Sequence, residues 1–187
     1  MQKKINKAKK VFSGVIFDTY QWEQEMFDGS TATFERISRN PSVECIAVVD
    51  DNKIITLEQT QPDRDWYPSL PGGKIDKGEE PIQAVARELL EETGYASESF
   101  ELYRHYTGHS KIYFPEYIFI AKNCKKIADQ NIESGEKINV KLSSFDDFLN
   151  MFRKKDCATS IYLKFEIYEI LLDNKKKEKL KQKLFKK

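Results

Sequence analysis

An α/β (α+β) fold, with an antiparallel strand extension at the N-terminus, is what the order of hydrophobic periods along the chain predicts. Three observations carry this. Alternating, aromatic-rich segments dominate residues 11–59 and return over 100–144, one stretch at 82–93 has helical spacing, and two more helical stretches close the chain. The 187 residues suffice for one domain with a real core and a small extension, and 40% hydrophobic residues mark a globular rather than a disordered chain.

Taken in order, "VFSGVIFDTYQW" and "TATFERISR" are separated by the turn-forming "DGST" and predict two or three antiparallel strands. Val43 to Val49 and Lys53 to Gln59 read as a core hairpin turning at Asp50, Asp51 and Asn52. "PDRDWYPSLPGG" reads as a loop rich in proline and glycine. In the helix of about 82–93, Ile82, Val85, Ala86, Leu89 and Thr93 share the arc expected to face the core. Strands resume with "FELYRHYTG", "KIYFPEYIFIAKN" and "INVKLSS". "FDDFLNMFRKK" and "SIYLKFEIYEILLDN" predict two closing helices, the second with Ile161, Phe165, Tyr168 and Leu172 as its expected core stripe. The lysine run after Asn174 predicts a solvated helical extension. The implied division is a β extension over 1–40, a main domain over 41–173 and a lysine-rich tail over 174–187.

A formal charge of +1 gives no global attraction for a polyanion, although both ends, "MQKKINKAKK" and "NKKKEKLKQKLFKK", are basic; nucleic acid is not the expected partner. Cys45, Cys124 and Cys157 are odd in number and far apart, without a Cys-x-x-Cys or a His pair, so neither a disulfide framework nor a zinc site is expected. A cytoplasmic location fits. No apolar run approaches the roughly 18 residues that span a membrane, and the basic N-terminus leads into "VFSGVIFDTY" without a cleavage pattern.

The chemistry is concentrated in "LPGGKIDKGEEPIQAVARELLEETGY". Glu88 lies three residues before Glu91 and four before Glu92, so their carboxylates are neighbours on the helix surface, each pair costing roughly 0.2–0.5 kcal/mol in an isolated helix. Glu91 and Glu92 also sit near the helix C-terminus, where the macrodipole disfavours anions. Two readings account for this: an acidic solvated face with Arg87 as an ion-pair partner, or a bound hard cation such as Mg²⁺ or Mn²⁺, which takes carboxylate oxygens and is commonly shared with phosphates.

The spacing of the whole segment bears on the choice through a resemblance. Five residues separate Gly73 from Glu79 and seven separate Glu79 from Arg87; Glu88, Leu89, Glu91, Glu92 and Gly94 follow in register. This pattern resembles the Nudix box of the Nudix hydrolases, matching every defining position but the last, where an aliphatic residue is usual and this chain has Tyr95. The resemblance implies a mixed β-sheet sandwiched between helices, and hydrolysis of a nucleoside diphosphate linked to a further group, with Mg²⁺ or Mn²⁺ as cofactor. It implies Glu88, Glu91 and Glu92 as metal ligands, Arg87 as the residue that orients a glutamate, and Gly73, Glu79 and Gly94 as shapers of the loop and helix end.

A looser similarity, over most of 12–172, is to the ADP-ribose and nucleotide-sugar pyrophosphatases. It implies a homodimer built partly through the N-terminal strands, with Glu35, Arg36 and an aromatic such as Trp22 or Phe34 at the nucleotide. It further implies a metal contact at the Gly72 carbonyl and a general base from "QNIESGEKINV", either Glu136 or Glu133. Three departures bear on the substrate. Gln61 stands where many members have an arginine, leaving Arg64 to substitute from the same loop; Pro115 comes several positions late; and the segment before the box reads Pro-Gly-Gly rather than Pro-Ala-Gly. Dinucleoside polyphosphates, NADH, noncanonical triphosphates and RNA 5′ ends are alternative substrates within the family, and a non-catalytic nucleotide-binding module is the alternative outside catalysis.

Overall fold

The computed structural model describes residues 8–109 and 111–186. Residues 1–7 of the basic N-terminal stretch and Lys187 of the tail lie outside them. Eleven strands form one sheet: β1 (Lys9–Ser13), β2 (Phe17–Glu25), β3 (Thr31–Arg39), β4 (Ser42–Val49), β5 (Lys53–Gln61), β6 (Arg64–Ser69), β7 (Gly72–Lys74), β8 (Tyr95–Ala96), β9 (Ser99–His109), β10 (Ile112–Lys126) and β11 (Lys137–Ser143). Four α-helices pack on it: α1 (Pro81–Thr93), α2 (Phe145–Met151), α3 (Ile161–Leu172) and α4 (Asn174–Phe185). The expected mixed sheet between helices is what forms.

The N-terminal strands β1, β2 and β3 pair antiparallel in sequence order, as expected, and β3 then runs parallel to the start of β10. Alternation along β4 sends Val43, Cys45 and Ala47 to one face, where they meet Ala84, Val85 and Leu89 of α1. Ile46 and Val48 point to the other face and meet Phe148 and Leu149 of α2, Leu163 and Ile167 of α3, and Leu180 and Leu184 of α4. The central strands β4, β5 and β10 are therefore buried on both sides, whereas β1, β2 and β3 have no fully buried residue.

Five expectations change. The β4–β5 hairpin pairs only next to its turn, at Val48↔Ile54 and Val49↔Lys53; beyond that the strands splay, and β7 takes the edge of β4 while β6 takes that of β5. The stretch read as a loop thus contributes two strands, because the splay leaves backbone edges that must be paired. In α1 the buried face is Ala84, Val85, Leu89, Glu92 and Thr93, whereas Ile82 is 50% exposed. The arc is rotated toward the glutamate side.

The largest change is in α3. Its buried residues are Leu163, Ile167 and Ile170, while Phe165 is 61% and Leu172 89% exposed, with Ile161 and Tyr168 on the same outer face. Apolar residues occur all round this helix, so periodicity does not select the face that packs. Nor is the lysine run a solvated extension: α4 buries Leu180 and Leu184, and pairs Lys176 with Glu169, Lys177 with Asp146 and Lys183 with Glu101 at 2.7, 2.7 and 2.5 Å. No helix among the described residues is long and apolar enough to cross a membrane.

Candidate active site

Helix α1 begins with Pro81 at its first turn and a reciprocal cap between Glu80 and Gln83. It ends at Gly94, whose left-handed φ of 74° suits glycine and whose backbone N donates to the Leu90 carbonyl at 2.8 Å. Between these stops the glutamates face a cleft of about 220 Å³, walled on one side by β7 and α1 and on the other by Asn131, Ile132, Glu133 and Glu136.

Arg87 is the hub of the first wall. Its Nε and Nη2 donate to the two Glu79 oxygens at 2.9 and 3.0 Å, and its Nη1 donates to Glu88 Oε1 at 2.9 Å and Glu91 Oε2 at 3.0 Å. Nη2 also reaches the Lys74 carbonyl at 3.1 Å. Only the planar five-donor guanidinium can serve all of these together. The Arg87 hydrogen bond holds the Glu79 carboxyl below its ordinary range, and Glu79 Oε2 also accepts from Asp76 N at 3.0 Å. Glu79 thus closes the loop and orients the arginine.

Glu88 lies flat against Gly73. A Cβ at Gly73 would sit 2.6 Å from Glu88 Cδ, so the glycine makes room for the carboxylate. Burial raises the Glu88 carboxyl, while its bond to Arg87 acts in the opposite sense. Glu92 is 5% exposed and accepts from Gly72 N at 2.7 Å through Oε2. Burial pushes its carboxyl well above the usual range; the Gly72 bond opposes this, and Glu88, Glu136 and Glu91 add repulsion. Gly72 pairs with Glu44 in β4, where a side chain would strike the Val43 carbonyl.

The second wall hangs from the end of α1. The Gly94 carbonyl accepts from Ile127 N at 2.9 Å and Ala128 N at 3.2 Å, the Glu91 carbonyl accepts from Asn131 N at 2.8 Å, and Gln130 Nε2 donates to the Glu92 carbonyl at 2.6 Å. Glu136 N donates to the Glu133 carbonyl at 3.1 Å, closing a turn. Glu136 Oε1 then accepts from Gln61 Nε2 at 3.3 Å, and burial raises its carboxyl. Glu133 lines the cleft but is exposed.

Arg64 is turned elsewhere: its guanidinium stacks on Tyr67 at 3.5 Å and donates to the Asp156 carbonyl at 2.8 Å. Trp22, Glu35 and Arg36 are not brought to the acidic cleft within one chain. Glu35 and Arg36 line a separate surface cleft of about 460 Å³ with Phe34 and Lys111, and Arg36 lies over the Trp22 ring at 5.8 Å. Gln130, Asn131 and the Lys74 carbonyl had no signal in the sequence, where each is an ordinary polar group in a loop.

By donor type, Glu88, Glu91 and Glu92 suit a hard cation: they offer oxygen only, and burial lifts Glu88 and Glu92 against the opposing bonds from Arg87 and from Gly72 N. Among the described residues, no three Asp, Glu, His or Cys side chains already converge into a metal cage. Arg87 draws Glu88 and Glu91 toward itself, and Glu92 is held by Gly72.

A family model described as the NUDIX domain matches residues 38–163. Over 159 residues the chain is 26% identical to the ADP-ribose pyrophosphatase of Bacillus subtilis (strain 168), covering 83% of this chain and 86% of that protein. It is 35% identical over 101 residues to the methanol dehydrogenase activator of Bacillus methanolicus, covering 54% of this chain and 55% of that one. A crystal structure described as an ADP compounds hydrolase superposes with a TM-score of 0.63 at 18% identity, covering 90% of this chain and 92% of the other, a likeness of fold.

Proposed function

The chain belongs to the Nudix hydrolase family, and from that premise we propose that it is a divalent-metal-dependent pyrophosphohydrolase of ADP-ribose or a related nucleoside diphosphate sugar. The observation that carries the reading is the acidic cleft itself, in which Glu88, Glu91 and Glu92 face Glu136, and the two lining cations, Arg87 and Lys74, are engaged by Glu79, Glu88 and Glu91 and by Asp76. A diphosphate would be repelled by four carboxylates alone. Glu88, Glu91 and Glu92, with the Gly72 carbonyl, would hold Mg²⁺ or Mn²⁺, which when bound supplies positive charge to the phosphoryl oxygens and acidity to a water.

In this reading the protein's own groups do the rest. Arg87 keeps Glu88 and Glu91 in place through a single guanidinium. Glu136, raised by burial, accepts the proton as water oxygen bonds to phosphorus and the anhydride P–O bond breaks. The products are a nucleoside monophosphate and a sugar phosphate. Trp22, Glu35 and Arg36 would serve the nucleotide of a partner copy in a homodimer, a role supported by the exposed Val15, Ile16 and Phe27 of the N-terminal extension. We place the enzyme in the cytoplasm, in keeping with its three unpaired cysteines.

The RNA-end alternative loses support because the lysine helix α4 packs on the sheet face opposite α1. A screen that reads the nucleoside monophosphate product by chromatography, with Mg²⁺ or Mn²⁺ over ADP-ribose, sugar nucleotides, dinucleoside polyphosphates, NADH and capped RNA, tests the proposal. Fastest turnover is expected with ADP-ribose or a sugar nucleotide. No turnover on any of them would favour a nucleotide-binding module.

A further inference from the structure

The cleft has two acids in its second wall, and only one of them is tethered through its side chain. Strands β5 and β11 pair without a break from Ile54↔Ser143 to Thr60↔Lys137. That register sets Gln61, the last residue of β5, level with Glu136, the residue just before β11. Gln61 Nε2 uses this alignment to donate to Glu136 Oε1 at 3.3 Å. Among the described residues, Glu133 has only its backbone carbonyl engaged, by Glu136 N.

We propose that Gln61 is a positioning residue: its side-chain amide aims the Glu136 carboxylate into the cleft and leaves the second oxygen, Oε2, to take the proton from water. This rests on the reading of Glu136 as general base. Three features favour a neutral amide in this place. A Cβ at Gly135 would meet nothing within 4 Å, so no packing neighbour at that residue helps to aim the Glu136 side chain. The segment's backbone is held at both ends, by Gly94 and Glu91 of α1 and by the β5 pairing that starts at Lys137, so what Gln61 adds is a hold on the Glu136 side chain. An amide also donates a hydrogen bond without adding a positive charge, whereas an arginine here would form an ion pair with the base and make it a poorer proton acceptor. Gln61 then acts on the base rather than on the nucleotide, and substrate contacts must come from elsewhere in the cleft.

The test compares Gln61→Met, which keeps length and loses the donor, Gln61→Asn, which shortens it, Glu136→Gln, and the Gln61→Met/Glu136→Gln double variant. Each is assayed with Mg²⁺ on ADP-ribose, or on whichever substrate in the screen turns over fastest. Melting temperature and Mn²⁺ affinity by paramagnetic titration are read in parallel. Gln61→Met is expected to lower kcat about 10- to 30-fold with KM changed less than about 2-fold, the signature of an effect confined to the chemical step. Glu136→Gln is expected to lower kcat at least about 100-fold. In the Glu136→Gln background, Gln61→Met should add less than about 2-fold, because coupled residues are not additive. Melting temperature and Mn²⁺ affinity should stay near wild type, and Gln61→Asn should fall between wild type and Gln61→Met.

The proposal is overturned if Gln61→Met acts through KM alone, or if its effect on kcat persists in full in the Glu136→Gln background. If Glu136→Gln is inactive while Gln61→Met keeps wild-type kcat, only the positioning role fails. If Glu136→Gln keeps wild-type kcat, the general-base assignment fails and the positioning role with it.

Discussion

Replacing Glu92 with glutamine should make the metal-free protein more stable while removing most of its activity. Glu92 is 5% exposed, shares its cleft with Glu88, Glu91 and Glu136, and has Gly72 N as its hydrogen-bond donor. Glutamine keeps the same length and an oxygen to accept from Gly72 N, while the buried charge and its three repulsions vanish. Relieving a poorly compensated buried group is worth about 1–2 kcal/mol, or about 2–8 °C in melting temperature for a chain of this size. The sign follows from the raised carboxyl. The stability it contributes is fully present below the ordinary carboxylate range and is lost as pH rises through the folded value, so the variant's advantage should grow with pH. Scanning fluorimetry in chelator at pH 5 and pH 7.5 reads both effects. In saturating Mn²⁺ the ranking should reverse if Glu92 is a ligand as proposed, since binding at 100 times Kd stabilises wild type by about 2.7 kcal/mol and the variant would bind the ion more weakly. Turnover should fall at least about 100-fold. A variant less stable than wild type in chelator at pH 7.5, an advantage equal at both pH values, or retained turnover would refute the reasoning.

Two further substitutions probe the frame around the cleft. Gly73→Ala should cost less than about 1 kcal/mol, because the new methyl meets the flexible end of Glu88, yet displacing that carboxylate should lower kcat at least about 10-fold; wild-type turnover would show that Glu88 need not lie against Gly73. On the other side of β4, Glu44 accepts from Ser160 N at 2.6 Å, its Oε2 is enclosed without a partner, and burial raises its carboxyl from 4.5 to about 8. Wild-type stability should therefore fall relative to Glu44→Gln as pH rises from 4.5 to 8, by roughly 3 kcal/mol at pH 7; urea unfolding with parallel profiles for the two proteins would contradict it.

What the sequence determined by itself is what local geometry encodes. The helix of 82–93, its glycine stop, the clustering of Glu88, Glu91 and Glu92 and the Arg87–Glu91 step all follow from 3.6 residues per turn, and the spacing from Gly73 to Gly94 sufficed to identify the family. The alternating strands and the Asp50–Asn52 turn were legible for the same reason, since side chains on a strand repeat every two residues.

Tertiary structure decided everything that depends on which surfaces meet. Ile161, Phe165, Tyr168 and Leu172 form as good an apolar stripe as the one that packs, and the outer position of that stripe was set by where α2, α4 and the sheet close over Leu163, Ile167 and Ile170. The lysines of α4 looked solvated because their partners, Glu101, Asp146 and Glu169, lie on three other elements. Within the cleft, Gln61 and Glu136 stand 75 residues apart and meet only through the β5–β11 register. A sequence shows the faces a helix or strand can offer; burial and strand register choose among them, and that choice brings the second wall to the glutamates.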